Sequence, residues 1–123
     1  MVYGLDIGGS KMELSIFDAD LTLLKRWRMN TPTSGYAEFL QAIKQQIQVA
    51  DLFVAQAIHG HHHSLSEQNP VKSPLGIALP GVQLDSGLLV SSNILYLNHK
   101  AVMLDLIRLL QRQIGRASCR ERV

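Results

Sequence analysis

Near the amino terminus six consecutive residues, Asp6-Ile7-Gly8-Gly9-Ser10-Lys11, bring together a carboxylate, two glycines, a hydroxyl and an ammonium group. Such a set is suited to gripping phosphate. Gly8 and Gly9 lack Cβ atoms and are free to take φ > 0, which lets backbone N–H groups close around phosphate oxygens in an anion-binding concavity. Asp6, just before them, is placed to hold Mg²⁺ through water. The flanks set the geometry: Val2-Tyr3-Gly4-Leu5 is a short apolar run and Met12-Glu13-Leu14-Ser15-Ile16 alternates apolar and polar, so the glycines lie in a strand–turn–strand. Read from Gly4, the run nearly fits a Walker loop, but Ser10 stands where the lysine belongs and a strand follows instead of a helix. No Gly-x-Gly-x-x-Gly is present either, which excludes a dinucleotide fingerprint. The competing reading is a plain hairpin turn; the Asp before the glycines and the Ser-Lys after them favour phosphate.

A second group with ligand chemistry is His59, His61, His62 and His63. Neutral imidazoles bind zinc or nickel, and several adjacent ones can chelate loosely. No acidic or cysteine partner follows at ligand spacing, and Leu65-Ser66-Glu67-Gln68-Asn69-Pro70 is loop-like. The cluster therefore reads as part of a solvated loop insertion over about 51–72, with no metal expected.

The elements that must position these groups follow from periodicity. After the first hairpin, the turn-prone Asp18-Ala19-Asp20 leads into a third strand, Leu21 to Met29, with Leu23, Trp27 and Met29 on one face. Thr31-Pro32-Thr33-Ser34-Gly35 breaks the pattern, and Tyr36, Phe39, Leu40, Ile43, Ile47 and Ala50 then recur at helical spacing. Leu75 to Leu79 is a short buried strand stopped by Pro80-Gly81, and Asp85-Ser86-Gly87 turns the chain into Leu88-Leu89-Val90. A last helix, from about Ala101 to Arg112, is expected to bury Met103, Ile107 and Leu110 behind an Asn98 cap. Periodicity alone gives an α/β domain.

Composition needs one correction before it is used. Over Ile114 to Val123 the helical spacing stops and arginines crowd in, and the run Ile-Gly-Arg-Ala-Ser-Cys-Arg-Glu-Arg-Val resembles the conceptual translation of a common sequencing adapter. The native domain is therefore expected over residues 1–113, with 114–123 a non-native tail; the other reading is a basic helix end with Gly115 as its cap. The full chain has 12 Lys and Arg against 10 Asp and Glu. Without the tail's three arginines and one glutamate the balance is nine against nine, so the basic character argues for neither nucleic acid nor an anionic membrane. Cys119, the single cysteine, also lies in the tail, leaving no disulfide or thiolate nucleophile to invoke. No apolar run approaches the roughly 20 residues of a membrane span, and a cytoplasmic location is expected.

Asp6-Ile7-Gly8-Gly9-Ser10-Lys11 resembles the first phosphate motif of the ROK family (repressors, open reading frames and sugar kinases), whose usual form has Thr at the place of Ser10. Either residue supplies a hydroxyl. The resemblance continues through Asn30-Thr31-Pro32-Thr33, Gly76-Ile77-Ala78-Leu79-Pro80-Gly81 and Ser86-Gly87-Leu88-Leu89-Val90-Ser91-Ser92-Asn93, to about Gln113. It implies the first lobe of a ribonuclease H-like, actin-like ATPase fold, truncated before the general-base Asp that follows the next strand. Within the family the chain is most similar to bacterial N-acetylglucosamine kinases, which implies an ATP- and Mg²⁺-dependent hexose kinase acting at the 6-hydroxyl. Gly4, Asp6, Ile7, Gly8, Gly9, Ser10 and Lys11 would then serve nucleotide and Mg²⁺, and Gly81 and Asn93 the sugar. Outside the family, a turn glycine and a loop or capping residue are the simpler readings of the last two.

At 123 residues the chain is one small domain and part of what a two-lobed kinase needs. The remainder is expected at the carboxyl end, because Met1 leads almost directly into the first strand with no room for a leader or a DNA-binding domain. The general base would lie there: Asp85 sits in a hairpin turn and Asp105 on a surface-type helix position, so neither is assigned. A structural zinc site would lie there too, and the full-length protein would be a homodimer. The fragment alone is expected to be inactive. Two other readings stay open, a sugar-responsive ROK transcription regulator and a non-catalytic binding module.

Overall fold

The computed structural model describes residues 1–59, 72–91 and 93–116. Strands β1 (Val2–Ile7), β2 (Lys11–Phe17) and β3 (Leu23–Asn30) form an antiparallel meander, followed by helix α1 (Tyr36–His59). The chain returns through β4 (Leu75–Ala78), a small hairpin of β5 (Val82–Gln83) and β6 (Leu89–Val90), a 3₁₀ turn (Leu95–Leu97), α2 (Val102–Leu110) and β7 (Ile114–Arg116). The main sheet has the order β3-β2-β1-β4-β7, with β1–β4 and β4–β7 parallel. This is the α/β architecture expected from the sequence.

One sheet face carries the core. Tyr3, Leu5 and Ile7 of β1, Met12, Leu14 and Ile16 of β2, and Leu75 and Ile77 of β4 share it by alternation and are buried. Helix α1 lays Phe39, Ile43, Ile47 and Ala50 on this face, as their spacing predicts, and α2 adds Val102, Leu106 and Leu110. Each of the larger apolar side chains among them contributes about 1.5–3 kcal/mol by leaving water.

Four expectations need correction. Leu23 does not share a face with Trp27 and Met29. Lys25 pairs with Ile16 but Leu23 with Phe17, so a bulge at Leu24 shifts the alternation; Leu23 is exposed while Trp27 and Met29 pack on the core. The expected loop from residue 51 begins later, because α1 continues to His59. Phe53 meets Trp27 edge to face at 5.7 Å, and Asp51 is engaged by two partners described below, so this last part of α1 is packed rather than solvated. His59 closes the helix; His61, His62 and His63 lie outside the described residues. Helix α2 is turned relative to the expected phase: Val102, Leu106 and Leu110 are buried, Met103 is partly buried and Ile107 is exposed. It ends at Leu110, where Gln111 takes the left-handed conformation. Finally, Asn98 does not cap it. Ala101 holds that position, and the Asn98 side chain instead accepts the Ser91 N–H at 2.6 Å.

Three elements are locked by one buried cation. Arg112, its side chain 2% exposed, donates to Asp51 of α1 at 3.1 and 2.5 Å and to the Ser73 carbonyl at 3.2 Å. Its guanidinium lies 5.4 Å from the Tyr3 ring centre, and the Tyr3 hydroxyl donates to Asp51 at 2.7 Å. Burial first, then that hydrogen bond, pushes the Tyr3 phenol well above its ordinary value.

Candidate functional site

The parallel strands β1, β4 and β7 point their carboxyl ends to one rim of the sheet, the side on which open α/β sheets bind ligands. The Gly8-Gly9-Ser10 turn leaves β1 there. Its shape is fixed from two sides. The Gly8 N–H donates to the Lys11 carbonyl at 2.8 Å, closing the hairpin. Buried Thr31, just past β3, donates its N–H to the Ser10 carbonyl at 2.9 Å and its hydroxyl to the Gly8 carbonyl at 2.8 Å. The turn's carbonyls are thus drawn back onto Thr31. Among the described residues, neither the Gly9 nor the Ser10 N–H has a hydrogen-bond partner. Two amides on a fixed tight turn, unpaired among the described residues, are an anion-binding arrangement.

Gly8 is needed for a reason other than the one expected, and Gly9 shows no such need. Neither Gly8 nor Gly9 has a positive φ. Space selects Gly8, where a Cβ would stand 3.1 Å from the Lys11 carbonyl oxygen; a Cβ on Gly9 would make ordinary contacts, 3.6 Å from the Asn93 carbonyl oxygen and 3.7 Å from its Cβ. The second contact joins two parts of the site that the sequence keeps far apart.

Asn93 is exposed and follows a pinned segment. Ser91 is buried, receives the Asn98 side chain on its N–H, and accepts the Ile94 N–H on its hydroxyl at 3.3 Å. Gly81 flanks the same segment from the other side. Its φ is +118°, and a Cβ there would overlap the Val90 carbonyl oxygen and stand 3.1 Å from the Ser91 Cα. Only glycine fits this turn. Its carbonyl accepts from Arg116 Nη2 at 3.0 Å. Gly81 thus meets Val90 and Ser91, and the Gly8–Ser10 turn meets Asn93 two residues further along the chain.

The two ionic members of the motif stand beside the turn. Lys11 donates to the Asn30 side chain at 2.8 Å. Asp6 is exposed at the end of β1, on the sheet face away from the core, paired in register with Glu13, which in turn pairs with Arg28. Arg28 donates to Glu13 at 2.9 and 3.2 Å. Asp6, Gly8, Lys11, Met12, Glu13 and Arg28 line one shallow depression. An exposed carboxylate beside a phosphate-binding turn suits Mg²⁺ held through water, a hard cation that keeps part of its hydration shell. Gly4 and Ile7 lie back from the turn: Ile7 is core, and Gly4 faces the uncovered side of the sheet. Of the unassigned carboxylates, Asp105 accepts the Tyr36 hydroxyl at 2.6 Å and Asp85 is exposed in its turn.

Thr31 and Asn30 are the residues that sequence reasoning passed over. They lie within a quoted stretch, yet neither was given a role. The available signal was a small polar residue directly before Pro32, at the end of a strand.

Comparison with known proteins follows the same lines. The model of the ROK family matches residues 2–60. An N-acetylgalactosamine kinase of Shewanella sp. (strain ANA-3) is 40% identical over 115 residues, which are 94% of this chain and 32% of that protein. The N-acetyl-D-glucosamine kinase of Pectobacterium atrosepticum is 32% identical over 115 residues, 93% of this chain and 33% of that protein. The chain spans about a third of the length of the curated relatives it matches. Among solved structures, a ROK hexokinase from Thermus thermophilus superposes with a TM-score of 0.67 at 22% identity, over 94% of this chain and 34% of that one. A ROK glucokinase from Streptomyces griseus, solved with glucose and AMPPNP, gives 0.60 at 21% identity, over 93% and 31%. These structures share the fold, the first lobe of an actin-like ATPase. With the family model lying across the meander, the phosphate turn and α1, and sugar kinases aligned over nearly all of its length, the chain is similar to the ROK family.

Proposed function

We propose that the parent protein is an ATP-dependent hexosamine kinase that phosphorylates N-acetyl-D-glucosamine at its 6-hydroxyl. The observation that carries this reading is the Gly8–Ser10 turn, packed against Asn93, whose Gly9 and Ser10 amides have no hydrogen-bond partner among the described residues. In this reading those amides, the Ser10 hydroxyl and the Lys11 ammonium hold the nucleotide phosphates, while Asp6 takes Mg²⁺ through water. Bound Mg²⁺ supplies charge neutralisation on the transferring phosphoryl group. Gly81 brings backbone close to the sugar, and Asn93 hydrogen-bonds one of its hydroxyls, the kind of polar contact by which a site rejects analogues lacking the group. The sugar 6-oxygen gains the γ-phosphoryl group and gives up its proton to a carboxylate outside this chain; ADP leaves. The chain by itself is then inactive, residues 114–123 are non-native, and the whole kinase is a cytoplasmic homodimer with no nucleic-acid partner. A zinc site in the rest of the protein belongs to the same reading. The 40% identity to an N-acetylgalactosamine kinase, against 32% for an N-acetylglucosamine kinase, supports the 4-epimer as a second candidate substrate.

Titrating the ¹⁵N-labelled chain with Mg²⁺ and AMPPNP is the direct test. The Gly9 and Ser10 amide resonances are expected to shift first and furthest. Unmoved turn amides at millimolar nucleotide would sink the reading. Turnover of the full-length gene product with each epimer, followed as ADP release, then decides the sugar.

A further inference from the structure

Both charged neighbours of Asp6 on β2 are drawn away from it. Asp6, Glu13 and Arg28 form one row across β1, β2 and β3, in register and on the sheet face away from the core. The next row on that face, toward the turn, holds Lys11 and Asn30. In each row the β2 side chain is engaged by β3: Lys11 donates to the Asn30 side chain at 2.8 Å, and Glu13 accepts from Arg28 Nη2 and Nε at 2.9 and 3.2 Å. Arg26 approaches the other Glu13 oxygen at 3.7 Å, so both oxygens of that carboxylate face a guanidinium. Among the described residues, the Asp6 carboxylate has neither an ion pair nor a hydrogen bond.

Left to themselves, the two carboxylates would behave otherwise. Side chains directly opposite on antiparallel strands have Cβ atoms about 4.5–5.5 Å apart, and like charges there repel. A hard divalent cation relieves that repulsion by taking oxygens from both, and its affinity rises with the number of charged ligands. Asp6 and Glu13 would thus gather Mg²⁺ over the β1–β2 pair with no nucleotide present. A guanidinium on Glu13 opposes this, because the ion would have to displace charge-assisted hydrogen bonds.

We propose that Arg28 is a positioning residue for the metal: by holding Glu13 it leaves Asp6 the single carboxylate of the row open to Mg²⁺, so the ion is bound firmly only when nucleotide phosphates supply further oxygens. The inference rests on the reading of Asp6 as the Mg²⁺ residue beside the phosphate turn. Metal and nucleotide are thereby made to arrive together. The Arg28 side chain is 68% exposed and that of Glu13 25%, so the pair contributes little to stability and a neutral residue at either position leaves the fold intact.

The test is a Mg²⁺ titration of the ¹³C,¹⁵N-labelled 123-residue chain without nucleotide, read at the side-chain carboxyl carbons of Asp6 and Glu13. In the wild type Asp6 is expected to respond weakly and Glu13 to stay still. In Arg28→Gln both carbons are expected to move together, with Mg²⁺ affinity raised about tenfold by the second carboxylate, and adding Glu13→Gln should abolish the gain. Three results overturn the inference: Glu13 moves already in the wild type, Mg²⁺ affinity is the same in Arg28→Gln, or affinity rises while Glu13 stays still, which would mark a change of net charge alone. Repeating the titration with AMPPNP separates this inference from the reading beneath it. An Asp6 carboxyl that stays silent there removes the metal role of Asp6 and this proposal with it, whereas an Asp6 response alongside any of the three results removes the role of Arg28 only.

Discussion

The Arg112–Asp51 pair is lopsided, and the lopsidedness makes a sharp prediction. The Arg112 side chain is 2% exposed, whereas that of Asp51 is 38% exposed. Asp51→Ala strips a buried guanidinium of its counter-ion and leaves it the Ser73 carbonyl and the Tyr3 ring; its Nε has no partner already. Removing one member of a buried pair costs about 3–5 kcal/mol, and solvent reaching Asp51 places this case toward the low end, about 3 kcal/mol. The Tyr3 hydroxyl also loses its acceptor, roughly another 0.5–1 kcal/mol. Arg112→Met, in contrast, removes the buried charge itself and keeps most of the packing volume. Asp51 then turns to water and keeps the Tyr3 hydrogen bond, so the loss is about 1–2 kcal/mol, mainly the unpaired Ser73 carbonyl. Urea unfolding followed by circular dichroism, with m-values unchanged, measures both. Asp51→Ala should cost at least about 1 kcal/mol more than Arg112→Met, and the double variant should be less damaged than the sum of the two. Equal losses, or a larger loss for Arg112→Met, would refute the reasoning that burial of the cation dominates.

Two further predictions concern the turn and the alkaline limb. Thr31→Val keeps shape and N–H but removes the hydroxyl from the Gly8 carbonyl, so stability should fall by about 1–2 kcal/mol and nucleotide-induced shifts at Gly9 and Ser10 should shrink together; preserved shifts would show that Thr31 does not hold the turn. Burial and hydrogen bonds to carboxylates raise the phenols of Tyr3 and Tyr36, so the folded state keeps protons that the unfolded chain releases near its ordinary value of about 10. Stability should therefore be full below about pH 10 and decline above it, and the decline should flatten in the Tyr3→Phe, Tyr36→Phe double variant; an unchanged slope in equilibrium unfolding would assign it to other groups.

The parts of the fold that were legible in the sequence are those with one possible phase. Alternation in Met12–Ile16 admits one buried face, and Phe39, Ile43, Ile47 and Ala50 define one helical stripe; each is buried as its spacing predicts. Helix α2 was misread because Val102-Met103-Leu104-Asp105-Leu106-Ile107-Arg108-Leu109-Leu110 is apolar on nearly all sides, so spacing alone offers two stripes and tertiary packing chooses. The bulge at Leu24 and the Arg112 lock were invisible for a different reason: both arise from pairing between segments, and no local pattern encodes them. The site divides the same way. A hairpin at Gly8-Gly9 could be read from its flanks, but its dependence on Thr31 and its contact with Asn93 are long-range facts, and the need for glycine at Gly8 comes from a neighbouring carbonyl rather than from φ.

The attachment of the phosphate turn to Thr31 also bears on chain entropy. That hydrogen bond closes a span of 23 residues, whereas the Tyr36–Asp105 bond closes one of 69. Tripling a flexible loop adds about 1 kcal/mol to the cost of closing it. Holding the turn through Thr31 thus costs less chain entropy than the Tyr36–Asp105 tie, and the pairings within the meander itself do not involve β4 or β7. The element whose amides must be aimed most accurately is thus held by a tie of short span rather than by one that reaches across the whole chain.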